Sequence, residues 1–367
     1  MTIKRKMKKQ TANKLLCLLL AVLLLAGQVL PALALNQEGG TITIATAEDL
    51  KELAVQCTLD SWSQGKTVVL TDDINLSGSG FTPIPTFGGT FDGQGHTISG
   101  LTITGSGNTR GLFRYVQQGA VVQNLTVKAS IGPSDRKNEV AAIAGSNSGI
   151  IRQCAAQGGV KGGDSVGGVV GVNELTGQVI NCTFSGSVTG EHYVGGIAGR
   201  NLGSLIQCRN SGSVNTTEVE TEKDLTNVDW EQLNSAENMP ASTDIGGIAG
   251  WSSGILQSCS NSGPVGYAHV GYNIGGVVGR QSGYLDGCSN SGPILGRKDV
   301  GGVAGQLEPQ LTLKYDEDTL NKLWDELDNL QDLMDSTLNH TGTTVDAVSQ
   351  QITDFTDSAR TAKDAVH

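Results

Sequence analysis

One short word recurs five times in this chain and limits what it can fold into. Val166-Gly167-Gly168-Val169-Val170-Gly171, Val194 to Gly199, Ile245 to Gly250, Ile274 to Gly279 and Val300 to Gly305 all read apolar-Gly-Gly-apolar-small-Gly. Their first positions are separated by 28, 51, 29 and 26 residues. Taking the long step as two units gives a tandem array with a period of about 27, which means a stacked, quasi-one-dimensional architecture. A content of 51 glycines in 367 residues, with 4% aromatics, suits close backbone stacking over small inward side chains.

The cysteines keep the same phase. Counted from the first glycine of each word (Gly195, Gly246, Gly275), Cys208, Cys259 and Cys288 fall 13 residues on. Cys182 lies 15 after Gly167, and Cys154 lies 13 after Ala141 of a degenerate word, Val140 to Gly145. Five equivalent cysteines suggest disulfides only if they can face one another. In-register parallel strands set like residues about 4.8 Å apart with parallel Cα–Cβ vectors, whereas a disulfide wants Cβ atoms roughly 3.5–4.5 Å apart and turned together. The thiols therefore read as small buried hydrophobes in an inward ladder, beside a ladder of Gly167, Gly195, Gly246, Gly275 and Gly301.

Between the words lie runs of two to five residues bounded by Gly, Asn and Ser, such as Leu205-Ile206-Gln207-Cys208 and then Asn210-Ser211-Gly212-Ser213-Val214. These are strands, too short for helices. The Asn-Ser-Gly corners supply residues that tolerate left-handed conformations. A leucine-rich repeat would need Leu-x-x-Leu-x-Leu and a helical half, and both are absent. The expected fold is all-β, a right-handed parallel β-helix of about eight to ten coils. It has an N-terminal capping helix and a C-terminal α-helical coiled-coil segment. Thr46-Ala47-Glu48-Asp49 is a capping-box start, with Leu50, Leu53, Ala54 and Cys57 on one face. The expected organisation is a signal peptide over 1–34, a cap with first strands over 35–80, and the β-helix over 81–310. A helical segment over 311–367 follows.

Several segments stand outside the array. Lys4, Arg5, Lys6, Lys8, Lys9 and Lys14 precede an apolar run, Leu15 to Ala26, and Ala32-Leu33-Ala34 fits a cleavage site, so the first 34 residues read as a secretory signal peptide; a retained membrane anchor is the alternative. Removing them takes six positive charges and no acidic residue, moving the formal charge from −11 to −17. Nucleic acid is excluded as a partner for so acidic a chain. Residues 215–243 lack the Gly-Gly word and read either as a degenerate coil or as an insertion projecting from the rod. From Leu320, apolar residues step in heptads (Leu320, Leu323, Leu327, Leu330, Met334), with an offset after Gly342. The heptads run to the last residue, as if the chain continued further.

The Gly-Gly words, the Asn-Cys and Gln-Cys strands, the Asn-Ser-Gly-x-Val turns and the lead-in Phe91-Asp92-Gly93-Gln94-Gly95-His96-Thr97-Ile98 resemble the GLUG-motif repeat proteins of bacterial surfaces, over roughly residues 41–308. The resemblance implies a secreted or wall-attached β-helix. Some such modules precede zinc-dependent peptidase domains of immunoglobulin-cleaving enzymes, but neither a peptidase domain nor a wall-sorting motif is found here.

The chemistry is sparse. No pair among His96, His192, His269, His340 and His367 has H-E-x-x-H spacing, and Glu191-His192 reads as a turn, so no metal or cofactor is expected. Gly163-Asp164-Ser165-Val166-Gly167 matches a nucleophile elbow, but the elbow needs a following helix; Ser165 reads as a variable surface residue, since Tyr193, Asp244, Asn273 and Asp299 replace it elsewhere. Asp72, Asp73 and Asp92 are the candidate carboxylates for a lyase or glycosidase, and they read as turn residues. Tyr193, Trp251, Tyr272 and Tyr284, with Tyr267, flank the Gly-Gly words. They make a candidate aromatic platform for sugar rings, or else cover neighbouring coil edges. The expected function is a non-catalytic secreted or cell-surface scaffold for display or adhesion, binding glycans or surface proteins and self-associating through the C-terminal helix. The alternatives are a carbohydrate-active enzyme on the same rod, or the front module of a larger surface protein.

Overall fold

A computed structural model describes residues 35–38, 40–134, 137–216 and 242–308. The signal peptide, most of the 215–243 segment and the heptad region lie outside the described residues. Everything below concerns the unit that ends at Gln310.

The described chain winds as a parallel β-helix of about nine turns with four strand columns, here called sheets A to D. Sheet A has ten strands. The first, Asn36–Glu38, pairs antiparallel with Thr41–Ile44, and from there the sheet runs in parallel steps to Tyr284–Asp286. Sheet B runs from Ile74–Asn75 to Ser289–Asn290, sheet C from Ile84–Phe87 to Ala304–Leu307, and sheet D from Asp164–Gly167 to Lys298–Gly301. Each later turn visits D, C, A and B in that order. At about 4.8 Å per rung the column is about 40 Å long. A ten-residue helix, α1 (Ala47–Gln56), interrupts the first turn. Its N-cap Thr46 and Asp49 form a capping box, and Leu50, Leu53 and Ala54 are buried.

The Gly-Gly word is the D-to-C corner. Val166, Val194, Ile245, Ile274 and Val300 lie in register and end in the first glycine of each word. A methyl on that glycine would meet the carbonyl oxygen three residues on, at 1.9 Å for Gly167, 2.1 Å for Gly195, 2.0 Å for Gly246, 1.9 Å for Gly275 and 1.8 Å for Gly301. No real Cβ fits at these five glycines, so the full words keep glycine there, and only the degenerate word carries an alanine, Ala141, at the equivalent position. The second glycine faces a different neighbour: at Gly196, Gly247 and Gly276 a methyl would strike the side chains of Asn210, Asn261 and Asn290.

Those asparagines play a different part. The Asn-Ser-Gly corners are not left-handed; Asn210 and Asn261 are buried and with Asn290 stack their amides in a ladder. Asn210 Nδ2 donates to Asn261 Oδ1 at 2.8 Å, and Asn261 Nδ2 donates to Asn290 Oδ1 at 2.7 Å. A second buried ladder runs Asn147, Asn173, Asn201 and Ser252 on sheet C. The left-handed corners lie elsewhere, in two columns. One precedes each ladder cysteine (Gln153, Asn181, Gln207, Ser258, Gly287), and the other enters each Gly-Gly word (Glu139, Ser165, Tyr193, Asp244, Asn273, Asp299). Placing non-glycine residues at positive φ is unfavourable by about 1–2 kcal/mol each, so these corners persist only because rungs above and below determine them. Ser165 is accordingly buried, not a surface residue, since the next rung packs Gly199 against its backbone.

The cysteines stand in one column. Successive hydrogen bonds tie Ala155 N to Leu125 O, Thr183 N to Cys154 O, Arg209 N to Cys182 O, Ser260 N to Cys208 O and Ser289 N to Cys259 O, all at 2.8–2.9 Å. Cys154, Cys182, Cys208 and Cys259 are buried and Cys288 is half-buried, and none of the described cysteines is in a disulfide. The thiols are more than apolar filler: Cys208 and Cys259 lie 3.3 and 3.4 Å from carbonyl oxygens of the preceding rung. Burial pushes the Cys57 thiol to about 11 and raises that of Cys182. The early turns depart from the small-residue interior. Phe87, Phe91 and Phe113 pack there with centroids 5.3–6.0 Å apart, filling turns that lack the Gly-Gly constriction.

The long step is also corrected. Ala198 pairs directly with Ala249, and Ser204 with Ile255, so the 51 residues make one turn with an insertion and not two units. No rung fits between strands already hydrogen-bonded to each other. The insertion leaves and returns at one point, where Asn215 Nδ2 donates to the Ser242 hydroxyl at 3.2 Å.

Candidate functional site

The outer face of the D–C corner carries the most unusual set of side chains on the rod. Tyr193 sits at a left-handed corner (φ 56°). Because Gly250 of the next rung packs on the Tyr193 backbone, the residue after it, Trp251, lies over the Tyr193 ring, with centroids 6.5 Å apart and planes at 64°. Arg200 is the register partner of Trp251 on sheet C. Its guanidinium lies 5.5 Å from the Tyr193 centroid and 5.2 Å from that of Trp251. Among the described residues it has no hydrogen bond or ion pair, and its Nε is buried without a partner.

One rung on, Arg280 occupies the phase that Arg200 and Trp251 occupy below, with different company. Its Nη2 donates to Asp244 Oδ2 at 3.2 Å, and Nη1 donates to Glu308 Oε1 at 3.3 Å. Its Nε lies 3.2 Å from Asp244 Oδ1, close enough for an ion pair but not aligned as a hydrogen bond. Burial pushes the Asp244 carboxyl upward, and Asn273 and Arg280 offset only part of that. The two carboxylates in turn raise Arg280 against its own desolvation.

The four aromatic residues expected to form one platform do not meet. Tyr193 and Trp251 do. Tyr272 lies on the outer face of sheet D beneath the Arg297 guanidinium, 5.7 Å away, and Tyr284 is an exposed residue of sheet A. Tyr267 sits in an isolated bridge with Val270. Register decides this, since only the residue after the third glycine projects toward the left-handed corner. The sequence signal for Arg200 was its place in the same phase as Trp251 and Arg280, which aromatic spacing alone did not single out.

The carboxylates considered for catalysis are held by structural hydrogen bonds. Asp73 accepts from Thr97 N at 2.8 Å, which lowers its pKa, helped by His96. At Asp92 burial acts upward but is outweighed by donors from Gln94 N, Asn124 and Gln123 at 2.8–3.0 Å. Asp72 accepts from the Thr71 hydroxyl at 3.2 Å. Asp73 and Asp92, held ionised in this way, are poor general acids at neutral pH. Ser165 is followed by a strand and not by the helix an elbow needs. Asp164, Glu191 and His192, from neighbouring rungs, bring their ligating atoms within 4.8 Å of one another. That donor set suits a divalent cation, and the sequence gave no reason to join Asp164 to the other two. His192 Nδ1 is engaged 3.0 Å from the Thr243 hydroxyl. A shallow open trough of about 610 Å³ follows the A–B corner past Gln94, Asn124, Gln153 and Asn181. Among the described residues no helix is long and apolar enough to cross a membrane.

Comparison with known proteins places this architecture. Residues 162–189 match the sequence profile described as the GLUG motif, and they coincide with one complete turn of the coil, from sheet D through C and A to B. That turn carries a GLUG motif, and the neighbouring turns repeat its register in a parallel β-helix. It is 41% identical over 125 residues to Halomucin of Haloquadratum walsbyi, an alignment covering 30% of this chain and 1% of that protein. A Bacteroides ovatus crystal structure provisionally named an immunoglobulin A1 protease covers 73% of this chain and 84% of its own, at a TM-score of 0.48 and 17% identity. A likeness that distant carries no argument about activity.

Proposed function

We propose that this chain is an exported, non-catalytic β-helix scaffold that presents the Tyr193–Arg200–Trp251 surface to a glycan or a surface protein outside the cell. The observation that carries the reading is the clasp itself, two aromatic rings and a free guanidinium fixed to a rigid, fully hydrogen-bonded rod. An aromatic pair of this kind offers flat apolar area at low entropic cost to a ligand. The occupied Asp73 and Asp92 carboxylates support the non-catalytic part. The N-terminal basic and apolar run supports export, helix α1 serves as a lid for the first turn, and the heptads of 311–367 support self-association. The small share of Halomucin that is matched supports a second reading, in which these repeats are one module of a longer surface protein.

A glycan array and a surface-protein pull-down, run with the wild type and Trp251→Ala, test the proposal. Binding that Trp251→Ala abolishes is expected; absence of binding to every probe defeats the adhesion reading. Incubation with polyuronides and neutral glycans, with and without calcium, tests the non-catalytic part, since chain cleavage would refute it.

A further inference from the structure

We propose that Arg200, Tyr193 and Trp251 form a subsite for the carboxylate of an acidic sugar of the uronate type. The inference rests on the reading of this surface as a glycan platform and adds the ligand's charge. It comes from comparing two rungs of the same repeat. Arg200 and Arg280 share one phase on sheet C, joined through Trp251. In each rung the preceding glycine packs against a left-handed corner of the rung below, Gly279 against Asp244 and Gly199 against Ser165. Where the corner residue is Asp244, the arginine binds its carboxylate. Where it is Ser165, the repeat supplies no acid, and the guanidinium makes no polar contact among the described residues, with Nε buried. This corner therefore shows an arginine binding a carboxylate in one rung and presents the same fork without its acid two rungs below.

The aromatic faces explain why the fork stays in place. Cation–π contacts with Tyr193 and Trp251 hold the guanidinium in place without consuming its N–H donors. A carboxylate meeting those donors takes two parallel hydrogen bonds, the strongest arrangement open to an arginine. A pyranose ring bearing the carboxylate lays its C–H face on Trp251. An acidic peptide is the less favoured ligand, because along the sides of the rod every sheet is paired above and below and offers no strand edge for backbone docking.

The test is calorimetric titration of the full chain with an oligogalacturonate, its methyl ester and poly-glutamate. The oligogalacturonate is expected to bind, and its uncharged ester to bind roughly tenfold or more weakly, the factor a charged hydrogen-bonded pair carries. Arg200→Gln, shown to be folded by its circular dichroism, is expected to lose the same factor, Arg200→Lys to recover part of it, and Tyr284→Ala to leave binding unchanged. Equal binding of acid and ester, or an unaltered Arg200→Gln, overturns the carboxylate assignment; if Trp251→Ala still abolishes binding, the platform reading survives it. No saccharide binding, or indifference to Trp251→Ala, removes both. Poly-glutamate binding as tightly as the uronate overturns the sugar class.

Discussion

Truncating Asn261 to Ala removes one rung of a buried amide ladder, and its consequence can be worked from the bonds. Asn261 is 2% exposed. Its Nδ2 donates to Asn290 Oδ1 at 2.7 Å and to Gly263 O at 2.8 Å, while its Oδ1 accepts from Asn210 Nδ2 at 2.8 Å and Gly263 N at 3.3 Å. After truncation Asn210 keeps its bond to Gly212 O, and Asn290 keeps its bond from Gly292 N. The two Gly263 backbone groups lose the side chain that satisfied them. At about 1–3 kcal/mol for a buried group left unsatisfied, partly relieved by relaxation, the loss is about 3 kcal/mol. That corresponds to a fall in Tm of roughly 6–12 °C for a unit of this size. Asn261→Asp keeps the shape but turns a donor into an acceptor facing two oxygens, so at neutral pH it is expected to lose more. Leu175→Ala, at a 79% exposed site, is the control and should stay within about 0.5 kcal/mol. Denaturant unfolding, with hydrogen exchange at neighbouring amides to detect local opening, measures the effect. An Asn261→Ala protein as stable as the control would refute the claim that the amide ladder holds adjacent turns together.

Deleting residues 217–241 should leave the coil folded with stability changed by no more than about 1 kcal/mol, since the flanking rungs already pair with each other; loss of the cooperative thermal transition would contradict the one-turn assignment. Native protein at pH 7 should leave Cys57, Cys154, Cys182, Cys208 and Cys259 unlabelled by a thiol reagent and label the half-buried Cys288 first. Folding keeps Cys259 as a neutral thiol, raised from 9.0 to about 12 chiefly by the Cys208 thiol, with Cys288 pulling it down and burial adding to the rise. The stability it contributes is therefore full below pH 9.0 and lost as pH rises toward 12, which alkaline denaturation would show. Arg280→Ala should destabilise by about 3 kcal/mol because it strands the buried Asp244. Asp244→Asn added to it should recover most of that loss; no recovery in thermal melts would mean that the pair matters for packing and not for charge.

The array, its phase and its inward thiols were legible from residue order alone, because a parallel coil repeats its backbone and so repeats the residues the backbone permits. Gly246 shows how direct the link is: a carbonyl 2.0 Å from where its Cβ would lie admits no other residue. The corners were less legible. Asn, Gln, Tyr and Asp all occur at the left-handed positions, so no residue type marks them, and the Asn-Ser-Gly words, whose residues tolerate that conformation, do not adopt it. Spacing also misled at the 51-residue step, since sequence distance does not reveal whether two strands pair.

Sequence by itself determined that this chain must wind into a stack, because only a repeating backbone accounts for a glycine word and a cysteine held at one offset. Tertiary structure alone decided which side chains meet on the outside. Lateral neighbours in a coil come from adjacent turns, and their contact depends on register and on the direction each corner sends the side chain. Tyr193, Arg200 and Trp251 converge for that reason, while Tyr272 and Tyr284, flanking the same words, do not.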